Sequence, residues 1–374
     1  MHLTQIVRIG DTMGGIAQVA RQYHYLAQAL DDTSQPVQLT TLVDSPRKLF
    51  ESHFADIGAI HAPRCTRSIG QFSPISLARF SKTLHQSDAI LAHTDTCRAA
   101  LRLLGALSIS RRIPMIGIGH NDNRIRKAKR YDGMICLTPC QAQRINAEHG
   151  YFPTQVVPNP LGASDFPDTS FASKVDQLSA TRAHIGVACN LIPKKNVSRI
   201  LKEFAHLLQI TSHPDIWRLS IAGDGSERPA LEALAQQLNI RDKVSFHGWI
   251  DASQRAHFFS DIDILWHTSK LEPFGLVLVE GAYYGCHVQV SRTAGSNAIA
   301  QPDGIPELQL IEQDSPIGLL ATMALERMKS LDNRRTDLVL ARQHALDAYA
   351  PTVLAPRWRK VIQQFINTYQ TPAL

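Results

Sequence analysis

The chain has 374 residues, of which 44% are hydrophobic and 19% charged, with a formal net charge of +6. This length exceeds what one hydrophobic core supports, and the composition excludes a disordered chain. No run of 18 apolar residues is present, which argues against a bilayer-spanning segment. The N-terminal residues lack the pattern of a signal peptide, and the six cysteines show no metal-site spacing. We therefore expect a cytoplasmic protein with reduced thiols.

Short apolar runs alternate with helical patterns along the chain, which predicts parallel sheets covered by helices. In the first half, the residues after the first strand place apolar side chains such as Val19, Tyr23 and Leu26 on one helical face. The predicted strands of this half are Gln5–Ile9, Val37–Val43, Ala89–Ala92, Met115–Gly119, Met134–Leu137 and Gln155–Val157.

The pattern lapses in a segment rich in Ser, Asp and Thr and then restarts. It predicts a Rossmann-like domain over residues 1–165, a linker over 166–181, a second Rossmann-like domain over 182–350, and a final helix within 351–374 that packs back on the first domain. The predicted strands of the second half are Ile185–Cys189, Leu219–Ala222, Val244–Phe246, Ile264–His267 and Val288–Val290, and helices follow near residues 316–330, 335–349 and 354–369. The fold class is α/β, and ligands of such sheets bind at the carboxyl ends of strands.

The first strand ends in GDTMGG, and a helix follows at once. Gly14 and Gly15 would let backbone N–H groups approach an anion at the helix N-terminus. The spacing differs from G-x-G-x-x-G, so a dinucleotide fingerprint is absent. A purely structural turn is the alternative.

The segment TSKLEPFGLVLVEGAYYG places two carboxylates seven residues apart. Glu272 lies in the loop after strand Ile264–His267, Gly275 marks the start of a helix, and Glu280 lies inside that helix. Carboxylates so placed can accept hydrogen bonds from hydroxyl groups, and backbone N–H groups at the helix start can hold a phosphate. The alternative is a solvated Glu272 and a Glu280 that only lies on a helix face.

This segment resembles the E-x7-E signature of the retaining glycosyltransferases of family 4, which have the GT-B fold of two Rossmann-like domains facing each other across a cleft. The stretches IAGDGSERPALEALAQQLNIRDKVSFHGWI and VVPNPLG resemble further segments of that family in the same order. The resemblance covers roughly residues 5–300. It implies that the first domain binds an acceptor and the second a nucleotide-sugar donor.

The resemblance also implies roles for single residues. Glu272 matches the carboxylate that contacts the donor sugar, and Glu280 matches the one that binds the ribose. Lys195 matches the lysine that binds the diphosphate. His120 matches a histidine of the first domain that faces the sugar.

The diphosphate is held in that family by backbone groups as well. Phe274, Gly275 and Leu276 match the loop that meets the diphosphate, and Gly15 matches a glycine beside it. Asn190 stands where the family usually has an arginine. One of the two usual cations is therefore absent from its place. Either Lys194 compensates for it, or the donor binds more weakly.

The resemblance implies transfer of a hexose or N-acetylhexosamine, from a UDP-sugar by preference, to a glycan or glycolipid with retention of anomeric configuration. It also implies that the transfer needs no metal and no cofactor, and that the product is bacterial surface polysaccharide or lipopolysaccharide. A catalytically lapsed nucleotide-sugar-binding homologue and a GT-B-like epimerase or hydrolase are the alternatives.

Other candidates carry less weight. His93 ends a predicted strand, as His120 does, and would ordinarily be structural. Asp261 and Asp263 form a D-x-D, but they precede a strand, which argues against a metal site. A basic run could meet an anionic membrane or an anionic acceptor, or simply be solvated. Without interleaved aromatic residues it does not predict nucleic-acid binding. Its members are Arg124, Arg126, Lys127, Lys129 and Arg130.

Overall fold

A computed structural model describes residues 1–9, 15–30, 36–62, 82–93, 113–121, 125–162, 168–179 and 181–370. The chain divides into two compact units. The N-terminal unit comprises Met1–Ala163 together with Ala350–Leu374, and the C-terminal unit is Ser164–Tyr349. Among the described residues, no helix combines the length and the apolar character needed to cross a bilayer.

The described residues of the N-terminal unit form a seven-stranded sheet whose ladders are all parallel, in the order β3-β2-β1-β4-β5-β6-β7. Its strands are β1 (His2–Arg8), β2 (Gln38–Asp44), β3 (Ile60–His61), β4 (Ala89–Ala92), β5 (Met115–Ile118), β6 (Gly133–Cys136) and β7 (Thr154–Val156). Its helices are α1 (Gly15–Gln28), α2 (Arg47–His53), α3 (Pro139–His149) and, at the end of the chain, α12 (Pro351–Gln370).

Apolar periodicity decides how these elements pack. In α1 the side chains of Val19, Tyr23 and Leu26 are buried, as their helical spacing predicts. Helix α12 packs on the same unit, where the fully buried Trp358 meets the ring of Tyr23 edge to face at 5.7 Å between centroids. The final helix is thus part of the N-terminal unit.

The C-terminal unit contains a six-stranded sheet with parallel ladders, in the order β10-β9-β8-β11-β12-β13. Its strands are β8 (Ala183–Ala188), β9 (Trp217–Ala222), β10 (Val244–Gly248), β11 (Ile264–His267), β12 (His287–Ser291) and β13 (Gln309–Ile311). Its helices are α4 (Asp168–Asp176), α5 (Val197–Ile210), α6 (Arg228–Gln237), α7 (Ala252–Asp261), α8 (Leu276–Tyr283), α9 (Ala294–Ile299), α10 (Leu319–Met328) and α11 (Leu331–Tyr349). Each sheet thus has the parallel, helix-covered form that the alternating pattern predicts.

The segment 166–181, expected to be a linker, contains helix α4, and this helix belongs to the C-terminal unit. Phe171, Val175 and Leu178 are buried at helical spacing. The Lys174 ammonium donates to three carbonyl oxygens, those of Phe259, Ile262 and Tyr284. The exposed Ser170, Ser173 and Asp176 interrupt this short apolar stripe in the sequence, so the helix was not predicted.

Candidate functional site

The loop that follows β11 carries Glu272, and α8 begins directly after it. Gly275 has a φ of 96°, a left-handed conformation that favours glycine, and no side chain caps the helix that it precedes. Because the first N–H groups of a helix have no partner within it, this end of α8 offers backbone donors to an anion. Phe274 is buried against the Tyr349 ring, 5.9 Å away, which fixes the loop before Leu276 begins the helix.

Gly295, which the sequence reading did not single out, lets this loop lie close to α9. Its N–H donates to the Glu272 carbonyl at 2.9 Å. A Cβ at position 295 would lie only 2.2 Å from the Phe274 carbonyl oxygen. Any larger residue would displace the loop. The signal available in the sequence was a glycine at the start of a helix, in TAGSN.

Lys195 and Glu272 are predicted individually from sequence, and the structure brings them together. The Lys195 ammonium donates to Glu272 Oε2 at 2.5 Å, with 16% and 14% of the two side chains exposed. His267, at the end of β11, places Nε2 at 3.2 Å from the same oxygen. Sequence reasoning missed His267 because only the fold shows that its side chain turns toward the loop.

The electrostatics of this cluster keep Glu272 ionised. Burial acts to raise the pKa of its carboxyl group, but the hydrogen bond from His267 and the charge and hydrogen bond of Lys195 outweigh it and lower the pKa to about 2. Burial lowers the pKa of His267 and the nearby Lys195 charge adds to this effect, while the hydrogen bond to Glu272 and the charge of that carboxylate oppose it without reversing it. Near neutral pH the cluster therefore contains a carboxylate, an ammonium and a neutral imidazole.

Contacts to backbone carbonyls hold the segment that carries Lys195 against the loop that carries Glu272. The short 3-10 turn Pro193–Lys195 lies against the loop after β11, where the Lys270 N–H donates to the Lys194 carbonyl at 2.8 Å. The Thr268 hydroxyl donates to the Asn196 carbonyl at 2.9 Å. The cluster is thus built on fixed backbone rather than on mobile side chains alone.

The GDG turn after β9 packs against the segment that leads to Lys195. Gly223 and Gly225 have φ values of 131° and 156°, and a Cβ at Gly223 would lie 1.8 Å from the Cys189 carbonyl oxygen. The Leu191 N–H donates to the Asp224 carbonyl at 2.9 Å. Asn190, in the place of the family's arginine, is exposed beside this turn. The glycines are needed for close backbone approach.

Glu280 lies in the second turn of α8 with 9% of its side chain exposed. Its Oε1 accepts a hydrogen bond from Arg255 Nη1 on α7 at 3.2 Å. The spacing of the two glutamates therefore gives one loop carboxylate and one helix carboxylate, as expected. Contact of Glu280 with a ribose stays a prediction.

In the N-terminal unit, His120 follows β5 and His93 follows β4. His93 Nδ1 and His120 Nε2 are 2.9 Å apart and share a hydrogen bond, with the rings stacked at 5.1 Å. The Gln141 side chain donates to the Gly119 carbonyl at 2.9 Å and so fixes the backbone before His120.

The N-terminal glycine turn and the basic run are only partly described. Helix α1 begins at Gly15, while Gly14 lies outside the described residues, as does Arg124. Arg126, Lys129 and Arg130 are exposed, and Lys127 is half-buried.

The D-x-D residues have structural partners. Asp261 pairs with Arg182, and Asp263 accepts hydrogen bonds from Arg334 and from the His184 backbone N–H. Within the described ranges, no group of three or more His, Cys, Asp and Glu side chains could hold a metal ion.

Comparisons with known proteins fit this site. Residues 170–305 match the family described as Glycosyl transferases group 1, and this range contains Lys195, Glu272 and Glu280. The lipopolysaccharide core biosynthesis glycosyltransferase LpsD of Rhizobium meliloti is 25% identical over 70% of this chain and 72% of its own length. LpsE of the same organism is 27% identical over 51% of each chain.

Among solved structures, Anabaena Alr3699/HepE in complex with UDP and glucose superposes with a TM-score of 0.74 at 18% identity, covering 97% of this chain and all of that one. This likeness shows the fold, two Rossmann-like units of the GT-B type. Together with the matched family region, the relatives support a glycosyltransferase.

Proposed function

We propose that this protein is a retaining glycosyltransferase of family 4 that moves a hexose or N-acetylhexosamine from a UDP-sugar to a hydroxyl of a glycan or glycolipid. The observation that carries the proposal is the cluster of Lys195, Glu272 and His267 beside the N-terminus of α8. It lies within the range that matches the group 1 glycosyltransferases.

The diphosphate, the sugar and the ribose of a nucleotide sugar each have a suitable partner in this unit. The Lys195 ammonium, which pairs with Glu272 in the unliganded chain, can donate to a diphosphate. The free N–H groups at the start of α8 add backbone donors to the same anion. Glu272 would accept hydrogen bonds from sugar hydroxyls, and Glu280 from the ribose.

The proposed chemistry breaks the bond between the anomeric carbon and the phosphate oxygen. Positive charge develops on the sugar ring, and negative charge develops on the leaving diphosphate. Lys195 and the α8 amides, already in position, would stabilise the negative charge as it develops on the diphosphate. Retention follows if the acceptor hydroxyl attacks from the side of the leaving group and gives its proton to a phosphate oxygen. This route needs no protein nucleophile, and contact of His120 with the sugar stays a prediction.

The acceptor class is proposed from the relatives. LpsD and LpsE are named for lipopolysaccharide core biosynthesis, and we extend that acceptor class, a growing surface glycolipid or glycan, to this chain. An exposed basic surface made of Arg126, Lys129 and Arg130 fits an anionic membrane on the cytoplasmic side, where such acceptors would be presented.

Titration with UDP, GDP, ADP and their common sugars tests the donor site. A ligand that binds the folded chain raises its melting temperature by mass action. We expect one UDP-sugar to do so in the wild type and to lose most of the effect in Glu280→Gln. Nucleotide-sugar binding without turnover would favour a lapsed homologue. Binding by no nucleotide would indicate that the exposed Asn190, in the place of the usual arginine, has cost the site its hold on the diphosphate. Turnover without any acceptor would favour an epimerase or hydrolase.

A further inference from the structure

His267 is a buried histidine of this cluster, and the donor binding proposed above gives it no role. Its side chain is 2% exposed, and its Nε2 lies 3.2 Å from Glu272 Oε2, the oxygen that also accepts from Lys195. Among the described residues, Glu272 Oε1 makes no hydrogen bond. One carboxylate oxygen is therefore doubly held, and the other is left for a ligand.

The direction of the His267 hydrogen bond follows from chemistry. An ionised carboxylate only accepts hydrogen bonds, so Nε2 must carry the proton. A buried imidazole near the Lys195 charge is neutral near neutral pH, which leaves Nδ1 without a proton. His267 is therefore the Nε2–H tautomer and a neutral donor to Glu272.

Lys195 has two competing partners in the proposed reaction cycle. Without donor it pairs with Glu272. A bound diphosphate presents more negative charge than one carboxylate and would draw the ammonium away. Glu272 would then lose its cation at the step where it must hold the sugar. Its backbone stays fixed, because the Gly295 N–H donates to the Glu272 carbonyl, but its side chain needs another partner.

We propose that His267 is a positioning residue that keeps the Glu272 carboxylate in place when Lys195 exchanges onto the donor diphosphate. Because His267 donates to Oε2, Oε1 remains available to a sugar hydroxyl throughout the exchange. A neutral donor suits this role, since a second cation would compete with Lys195 for the diphosphate. This inference rests on the proposed function.

Two substitutions separate positioning from simple packing. His267→Gln keeps an N–H at the reach of Nε2, whereas His267→Met fills the buried space without a donor. The measured quantities are the Kd of UDP and the Kd of the preferred UDP-sugar for each variant. UDP tests the nucleotide and diphosphate sites without the sugar, so it also reports whether each variant folds.

We expect the Kd of UDP for His267→Met to stay within about threefold of wild type. The ratio of the two Kd values, UDP over UDP-sugar, should fall about tenfold or more, since the hydrogen bond that is removed goes to a charged group. His267→Gln should regain most of that preference. A preference unchanged in His267→Met, or lost equally in both variants while UDP binding persists, would overturn the proposal.

The imidazole tautomer gives a test that needs no donor. Nitrogen NMR of the unliganded protein, with His267→Gln used to assign the signal, should show the Nε2–H tautomer near neutral pH. An Nδ1–H tautomer would overturn the inference at its first step. If the wild type binds no UDP-sugar, the proposed function fails and the exchange with it, while the tautomer still decides whether His267 donates to Glu272.

Discussion

Replacing Lys195 by methionine should destabilise the C-terminal unit, because it leaves the Glu272 carboxylate largely buried without its cation. Breaking a fully buried ion pair costs about 3–5 kcal/mol, whereas breaking an exposed one costs about 0–1 kcal/mol. The two side chains are 16% and 14% exposed, and His267 still donates, so we expect about 2 kcal/mol. For a unit of this size that is a fall in Tm of roughly 4–8 °C.

The assay is calorimetric melting of the unliganded chain near neutral pH. Tryptophan fluorescence in a Trp358→Phe background assigns the transition, because Trp217 and Trp266 are fully buried in the C-terminal unit and Trp358 is fully buried in the other. Lys329→Met is the matched control, since Lys329 pairs with Glu326 where 67% and 60% of the side chains are exposed. It should change stability by no more than about 0.5 kcal/mol.

A double variant isolates the uncompensated charge as the cause. Lys195→Met combined with Glu272→Gln removes both ionised groups, so it should be more stable than Lys195→Met alone. A Tm for Lys195→Met no lower than that of the Lys329→Met control would refute the reasoning. So would a double variant less stable than the single one.

Three further results are expected. The low pKa of Glu272 adds stability that is present above the ordinary carboxyl pKa and is lost as pH falls toward 2. The difference in stability between wild type and Glu272→Gln should therefore shrink over that pH range. A constant difference would contradict the ion-pair account. Gly295→Ala should lower stability by about 2 kcal/mol or more and weaken UDP-sugar binding. Gly162→Ala, whose added Cβ would lie 3.7 Å from Gln22 Nε2, should do neither. Replacing Arg126 and Arg130 by glutamine should weaken sedimentation with anionic phospholipid vesicles by about thirtyfold at low salt, and equal binding to neutral vesicles would argue against the membrane proposal.

The alternation of apolar runs was enough to predict both sheets. Strands Ala89–Ala92 and Ile264–His267 have the predicted bounds, because each is a short buried run between clear breaks. The edge strands Ile60–His61 and Gln309–Ile311 were missed. They are short and only partly buried, so they leave little periodic signal.

The site was predicted as single residues and not as contacts. Lys195 and Glu272 could be assigned from their motifs, but they are 77 positions apart in the chain. They meet because β8 and β11 are parallel neighbours whose carboxyl ends lie at one edge of the sheet. His267 and Gly295 matter through this same packing, which no local sequence pattern encodes.

The most direct test of the central claim is release of UDP from a UDP-sugar, with and without a lipopolysaccharide-core acceptor, by wild type and Glu272→Gln. We predict that release depends on the acceptor, that the product keeps the anomeric configuration of the donor, and that Glu272→Gln loses most of the rate while still binding UDP. UDP release that is independent of acceptor, or undiminished in Glu272→Gln, would contradict the assignment of this site to sugar transfer.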